Sequence, residues 1–193
     1  MIPAAELTDY TPAVTHGASH SALGFQYIGA RPMKRVVIRE CGEFEIPCHY
    51  ILDLTKTIVK DCTGCWSCWL KTPGRCVHKD LDEFYKAYLD TDKVIIFSKV
   101  SHGFVSGSLK TLFDRMIPLF LPFITYKSGE SMHVPRYEKY PEIEVYYEGD
   151  FASIEDRNIY EDYIHRTFYQ FYSKCEIVKP MTQFSLDLEE INR

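Results

Sequence analysis

The sequence predicts an α/β protein built on a three-layer, doubly wound sheet. Three observations predict it. Strand-type and helix-type apolar patterns alternate from residue 80 onward. A continuous apolar run at 93–98 (KVIIFS) reads as a strand buried on both faces, the kind found in parallel sheets. A polar turn with Gly and Ser follows it and opens a helix, the usual ligand-side connection of such sheets. A chain of 193 residues with 46% hydrophobic residues suits one domain with a sizeable core.

Residues 1–32 are rich in small residues and carry Pro3, Pro12 and Pro32, so most of this stretch reads as irregular, with one strand expected at 23–28. The segments 36–39 (VVIR) and 50–54 (YILDL) are short, apolar and rich in β-formers. Only about ten residues separate them, and a parallel crossover normally takes a dozen or more. An antiparallel hairpin or separate placement is therefore expected. Asp80 with Glu83 forms a capping-box pattern, which predicts a helix from 80 to about 90 with Leu81, Phe84, Tyr88 and Leu89 inward. After the strand at 93–98 and the loop at 99–107, a helix is expected over 108–117, closed by Pro118, with Leu109, Leu112, Phe113 and Met116 inward. A strand at 143–147, a long helix at 154–173 using Ile159, Tyr163, Ile164, Phe168 and Phe171, and a last strand at 176–179 complete the pattern.

The net charge of −5 gives no basic face for phosphate backbones, which argues against nucleic acid as a partner. The longest apolar stretch, 116–124, is short of a membrane span and broken by Pro118 and Pro122. No basic-then-apolar leader opens the sequence, so a cytoplasmic location without a membrane partner is expected. In that compartment seven cysteines point to metal ligands, redox thiols or core residues rather than disulfides.

Four of them form C-x2-C-x2-C-x7-C: Cys62, Cys65, Cys68 and Cys76. Gly64 permits a tight turn among the first three, and Pro73-Gly74 turns the chain back toward the fourth. Four thiolates can hold a [4Fe–4S] cluster or Zn²⁺, and this spacing favours iron–sulfur, because Cys₄ zinc sites usually pair two separated C-x2-C knuckles. Reactive thiols, or cysteines that simply pack, remain the alternatives. Trp66 and Trp69 read either as packing residues or as an apolar wall beside a redox centre. The 98–108 loop sits where doubly wound sheets bind ligands. Within it His102 reads as an acid, a ring neighbour or a solvated side chain. Lys110 and Asp114 lie one helical turn apart and suit an ion pair, while Asp114-Arg115 suits fixing the helix.

The combination of Cys62 to Asp80, the apolar strand ending at Ser98, and S-x-V-x-x-G-x-x-S-x-x-L-K-x-x-x-D-R from Ser98 to Arg115 resembles the NADPH-dependent FMN reductase and iron–sulfur flavoprotein group of flavodoxin-like proteins. The resemblance covers about residues 50–120, and His133-x-x-Arg136-Tyr137 is similar to a later segment of some members. It implies a flavodoxin-like fold, bound FMN, NAD(P)H as co-substrate, a [4Fe–4S] cluster on the four cysteines, and a small-molecule or protein electron acceptor. It implies Val100, Ser101, His102 and Gly103 as flavin contacts and a homodimer or higher homo-oligomer, while naming no catalytic residue. Lys99 and Ser101 depart from the family's Pro and aromatic residue. The larger departure is an atypical N-terminus lacking the first strand–phosphate loop–helix unit. The activity expected is an FMN-dependent NAD(P)H oxidoreductase or electron-transfer flavoprotein. The alternatives are a flavin-free cluster or zinc protein, and a degenerate interaction module that uses Tyr137, Tyr140, Tyr146 and Tyr147 at an interface.

Overall fold

A computed structural model describes residues 31–127 and 129–184. The strand expected at 23–28 lies outside the described residues. The first part of the chain gives β1 (Arg35–Arg39), β2 (Tyr50–Asp53), the short α1 (Ser67–Leu70) and α2 (Asp82–Leu89). Then come β3 (Lys93–Ser101), β4 (Phe104–Val105), α3 (Gly107–Asp114), β5 (Phe120–Lys127) and β6 (Glu130–Pro135). The last elements are β7 (Glu142–Glu148), α4 (Ile154–Gln170) and β8 (Cys175–Pro180).

The main sheet runs β2-β1-β3-β7-β8, every neighbouring pair parallel. Counting these five strands in chain order, this is the flavodoxin-like order 2-1-3-4-5. The parallel β1–β2 pair corrects the hairpin expectation: Val36 lies beside Tyr50 and Arg39 beside Asp53 in the same direction. An extended strap does what a helix usually does. Ten residues of extended chain reach about 33 Å, ample to return along a short strand. Of the strand–loop–helix unit expected to be missing, the strand is present and the helix is not. β1 stands at the first-strand position, and residues 40–49 lead to β2 with no helix between them.

Alternation along the strands divides the core. Val36, Ile38, Val94, Ile96, Ile143 and Val145 face a cluster with Phe84 and Tyr88 of α2, Leu109 and Leu112 of α3, and Tyr160, Ile164 and Phe168 of α4. Val37, Ile95, Phe97 and Tyr146 face the other way, toward Ile46 and Phe44 of the strap and Phe184. Tyr146 and Tyr147 are thus core residues, which corrects their reading as interface aromatics, while Tyr137 and Tyr140 pack partly buried on the core margin.

Three local expectations shift. The helix after the cysteines starts two residues late, at Asp82, with no side-chain cap, because the Asp80 carboxylate is engaged elsewhere. Along α4 the buried stripe is Tyr160, Ile164 and Phe168, while Ile159 is 59% exposed. The β5–β6 hairpin was not anticipated. Pro122 interrupts the pattern of β5, and the pairing absorbs it through an irregularity between Phe120 and Ile124. No helix among the described residues is long and apolar enough to cross a membrane.

Candidate functional site

The four motif cysteines all line one hollow of about 200 Å³, together with Trp66, Trp69, Val77, His78, Asp114 and Arg115. α1 places Cys68 and Trp69, and the turn at Gly74 is tied back to the Cys68 carbonyl at 3.1 Å. Cys62 and Cys65 are exposed, and Cys68 and Cys76 are half-buried. Burial pushes the Cys68 thiol up, and charge at Cys76, Cys62 and Cys65 pushes it the same way, as befits sulfurs gathered round one space. Hydrogen bonds from the Ser67 side chain and backbone and from Thr63 pull the Cys65 thiol down.

Long-range bonds fix this segment. Trp69 Nε1 donates to the Phe120 carbonyl at 2.9 Å, and its ring lies 5.1 Å from that of His133. Arg136 donates to the Pro118 and Phe120 carbonyls. Arg115, 1% exposed, donates to both Asp80 oxygens and to the Lys60 carbonyl, and Asp80 accepts from the Lys60 amide. Tyr85 OH donates to the Arg115 carbonyl at 2.6 Å. Burial raises the Asp80 carboxyl, but the hydrogen bonds from Arg115 and Lys60 outweigh it and hold the group below its usual range. Arg115 thus clamps both ends of the cysteine segment to α3, while the expected Lys110–Asp114 pair forms at the surface.

The donor set fits a thiolate-held cluster. His78 Nε2 and Arg115 Nε are buried without hydrogen-bond partners, and both residues line the hollow, where an anionic cluster's sulfurs could accept. No three His, Cys, Asp or Glu side chains among the described residues stand close enough to share one metal ion. A four-iron cube instead takes its thiolates at separate corners.

The second expected site is the carboxyl edge of β1 and β3, where sheets of this strand order bind their ligands. Val100, Ser101, His102 and Gly103 do lie there, but in a hairpin: Val100 pairs with Val105 and Ser101 with Phe104. His102 and Gly103, at φ 52° and 73°, form its two-residue turn, a type I′ arrangement. Ser101 Oγ and His102 Nδ1 bond each other at 3.2 Å. These four residues lie well apart in sequence from the cysteines, in a separate loop.

Glu40, the first residue past β1, was not singled out by its type or spacing. Its amide donates to the Phe97 carbonyl, and its carboxylate accepts from the Lys99 amide at 3.0 Å and from the Ser106 hydroxyl. Ser106 caps α3, accepting from the Leu109 amide. Nearby, burial pushes the Cys41 thiol up to about 12, with Glu148 and Glu40 adding to it and Lys99 opposing. A flavin phosphate needs donors or positive charge at this place. The residues past β1 present carboxylate instead, so they do not fit the phosphate.

A larger open hollow of about 770 Å³ lies beyond β7, lined by Glu148, Asp150, Ser153 and Arg157 among others. Its Ser153 hydroxyl is already used to cap α4 through the Asp156 amide.

No family model matches the chain. Among curated proteins it is 41% identical over 75 residues to an iron–sulfur flavoprotein of Archaeoglobus fulgidus, covering 38% of this chain and 33% of that protein. It is 37% identical over 73 residues to an iron–sulfur flavoprotein of Methanocaldococcus jannaschii, 37% of each chain. The chain thus spans about a third of the length of these relatives. Among solved structures, azoreductase AzrA matches with a TM-score of 0.50 and 13% identity over 82% of this chain and 92% of that one. An azoreductase from Bacillus anthracis matches with the same score and identity, over 82% and 93%. The chain shares the flavodoxin-like fold of these azoreductases, and over part of its length its sequence is similar to iron–sulfur flavoproteins.

Proposed function

We propose that this chain is a flavodoxin-like redox protein whose working group is a [4Fe–4S] cluster held by Cys62, Cys65, Cys68 and Cys76. The observation that carries the reading is the gathering of all four thiols around one hollow that is also lined by His78 and Arg115, each of which has a buried, unpartnered nitrogen. The cluster would supply one-electron transfer. The chain's own residues do the rest. Trp66 and Trp69 wall the hollow, Arg115 sets positive charge beside it, and the Asp80 clamp holds the loop in register. The exposed edge at Cys62 and Cys65 suits a small-molecule or protein acceptor reaching the centre from outside. The similarity to iron–sulfur flavoproteins supports the reading.

The full chain, purified and reconstituted anaerobically with iron and sulfide, is expected to show a broad visible absorption that reductant bleaches. Cys68→Ser is expected to lose it and Cys175→Ser to keep it. Full colour in Cys68→Ser removes the cluster from this motif, and zinc in place of iron makes the site structural.

A second reading, the FMN-dependent NAD(P)H oxidoreductase, is favoured by the flavoprotein names of the relatives and by the strand order. A flavin doublet in the purified protein, with FMN-dependent oxidation of NADH or NADPH, is the measurement that decides for it. Either protein is proposed to work as a homo-oligomer, which sedimentation of the full chain checks.

A further inference from the structure

We infer that Glu40 is a built-in anion standing where a flavin phosphate would be held, so that this chain takes no phosphate at the junction of β1 and β3. Three features of the structure support this.

The first is the bonding of the carboxylate. One oxygen accepts from the Lys99 backbone amide at the edge of β3, and the other accepts from the hydroxyl of Ser106, the cap of α3. A main-chain N–H and a cap hydroxyl beside a helix N-terminus are groups that would otherwise receive a ligand's anionic oxygens. Here both are satisfied from within, and the negative charge sits at the favourable end of the α3 dipole.

The second is the path of the chain after β1. A phosphate cradle needs a loop with open amides and a helix start behind it. Residues 40–49 provide no helix. Their glycine, Gly42 at φ 69°, seats an aromatic ring instead: a Cβ there would stand 2.5 Å from the Phe44 ring. That ring packs 4.9 Å from Phe97 and 4.7 Å from Phe184. The loop is therefore committed to the second core cluster and turned away from a ligand.

The third is the charge around the position. Glu148, at the end of β7, acts on the same Cys41 thiol as Glu40, and only the Lys99 side chain opposes them there. A phosphate dianion brought among these carboxylates would meet repulsion.

The test compares flavins with and without the phosphate on the full-length protein, reading the quenching of flavin fluorescence. This readout does not require the cysteines to hold a cluster, so it fails or succeeds apart from the cluster reading. The wild type is expected to bind FMN and riboflavin equally, or neither. FMN bound about tenfold tighter than riboflavin, the contribution of one or two charge-assisted bonds, overturns the inference. Glu40→Ser frees the Lys99 amide and the Ser106 hydroxyl, and is expected to raise the preference for FMN over riboflavin about tenfold or more. A folded Glu40→Ser protein, judged by circular dichroism, that still shows no preference overturns the role given to the carboxylate. If that variant does not fold, Glu40→Gln removes the charge and keeps the size. A rise of about threefold in the FMN preference is expected from it, and no change overturns the role equally.

Discussion

Arg115 and Asp80 show how one buried pair can decide a local structure. Asp80 has the sequence of a helix cap, yet its two oxygens face Arg115 across a gap of 35 residues in the chain. A charge buried at 1% exposure must be paired, and that need outweighs a cap worth about 1 kcal/mol. Arg115→Met is expected to destabilise the protein by about 3–5 kcal/mol in urea unfolding, because Asp80 and the Lys60 carbonyl lose their donor. Asp53 supplies a pH effect. Hydrogen bonding from the Thr55 side chain, with Arg39 adding to it against the opposing effect of burial, holds its carboxyl at about 2 instead of 3.8. Its folded-state pKa is depressed, so its contribution is complete above pH 3.8 and is lost as pH falls through about 2. Unfolding midpoints measured from pH 5 downward are expected to fall less steeply for Asp53→Asn than for the wild type. The four cysteines were legible because spacing alone gathers them. Glu40 was not, because a glutamate after a strand carries no signal until its partners at 99 and 106 are in place.

Elements were legible wherever periodicity was complete. The strands at 93–98 and 143–147 and the helix before Pro118 fall where their apolar runs place them. Along α4 several apolar stripes compete, since aromatic residues recur at most positions, and only packing against Ser98 and Phe113 selects Tyr160, Ile164 and Phe168. Ile164→Ala is therefore expected to cost about 2–5 kcal/mol, and Ile159→Ala to stay within about 0.5 kcal/mol, in the same denaturation experiment. The β5–β6 hairpin was hidden by Pro122, although Gly129 at φ 79° marks its turn and a Ser-Gly pair between β-formers is a recognisable signal. Trp69 ties this hairpin to the cysteine loop. Trp69→Phe keeps an aromatic side chain but removes the N–H donor and part of the ring system, and is expected to cost about 1 kcal/mol or more.

At the scale of the whole molecule, the sheet carries its described long helices on one face and an extended strap on the other. The sequence showed that a helix was missing between residues 39 and 50. The inference from that to an antiparallel pair failed, because the requirement for a helical crossover is a tendency of packing and not of chain reach. Ile46 is what makes the strap a layer: it is 8% exposed against Val37, Ile95 and Phe97. The strap also changes the order in which the sheet can assemble. Parallel strands usually meet only after a βαβ unit of about 30 residues has closed. Here Arg39 and Asp53 are fourteen residues apart and already share a guanidinium–carboxylate bond. Closing the shorter loop saves about 0.6–1 kcal/mol of chain entropy. The β1–β2 pair is thus a local contact among parallel pairs that are otherwise long-range. Pulsed hydrogen exchange during refolding is expected to protect the amides of this pair before those joining β7 to β8.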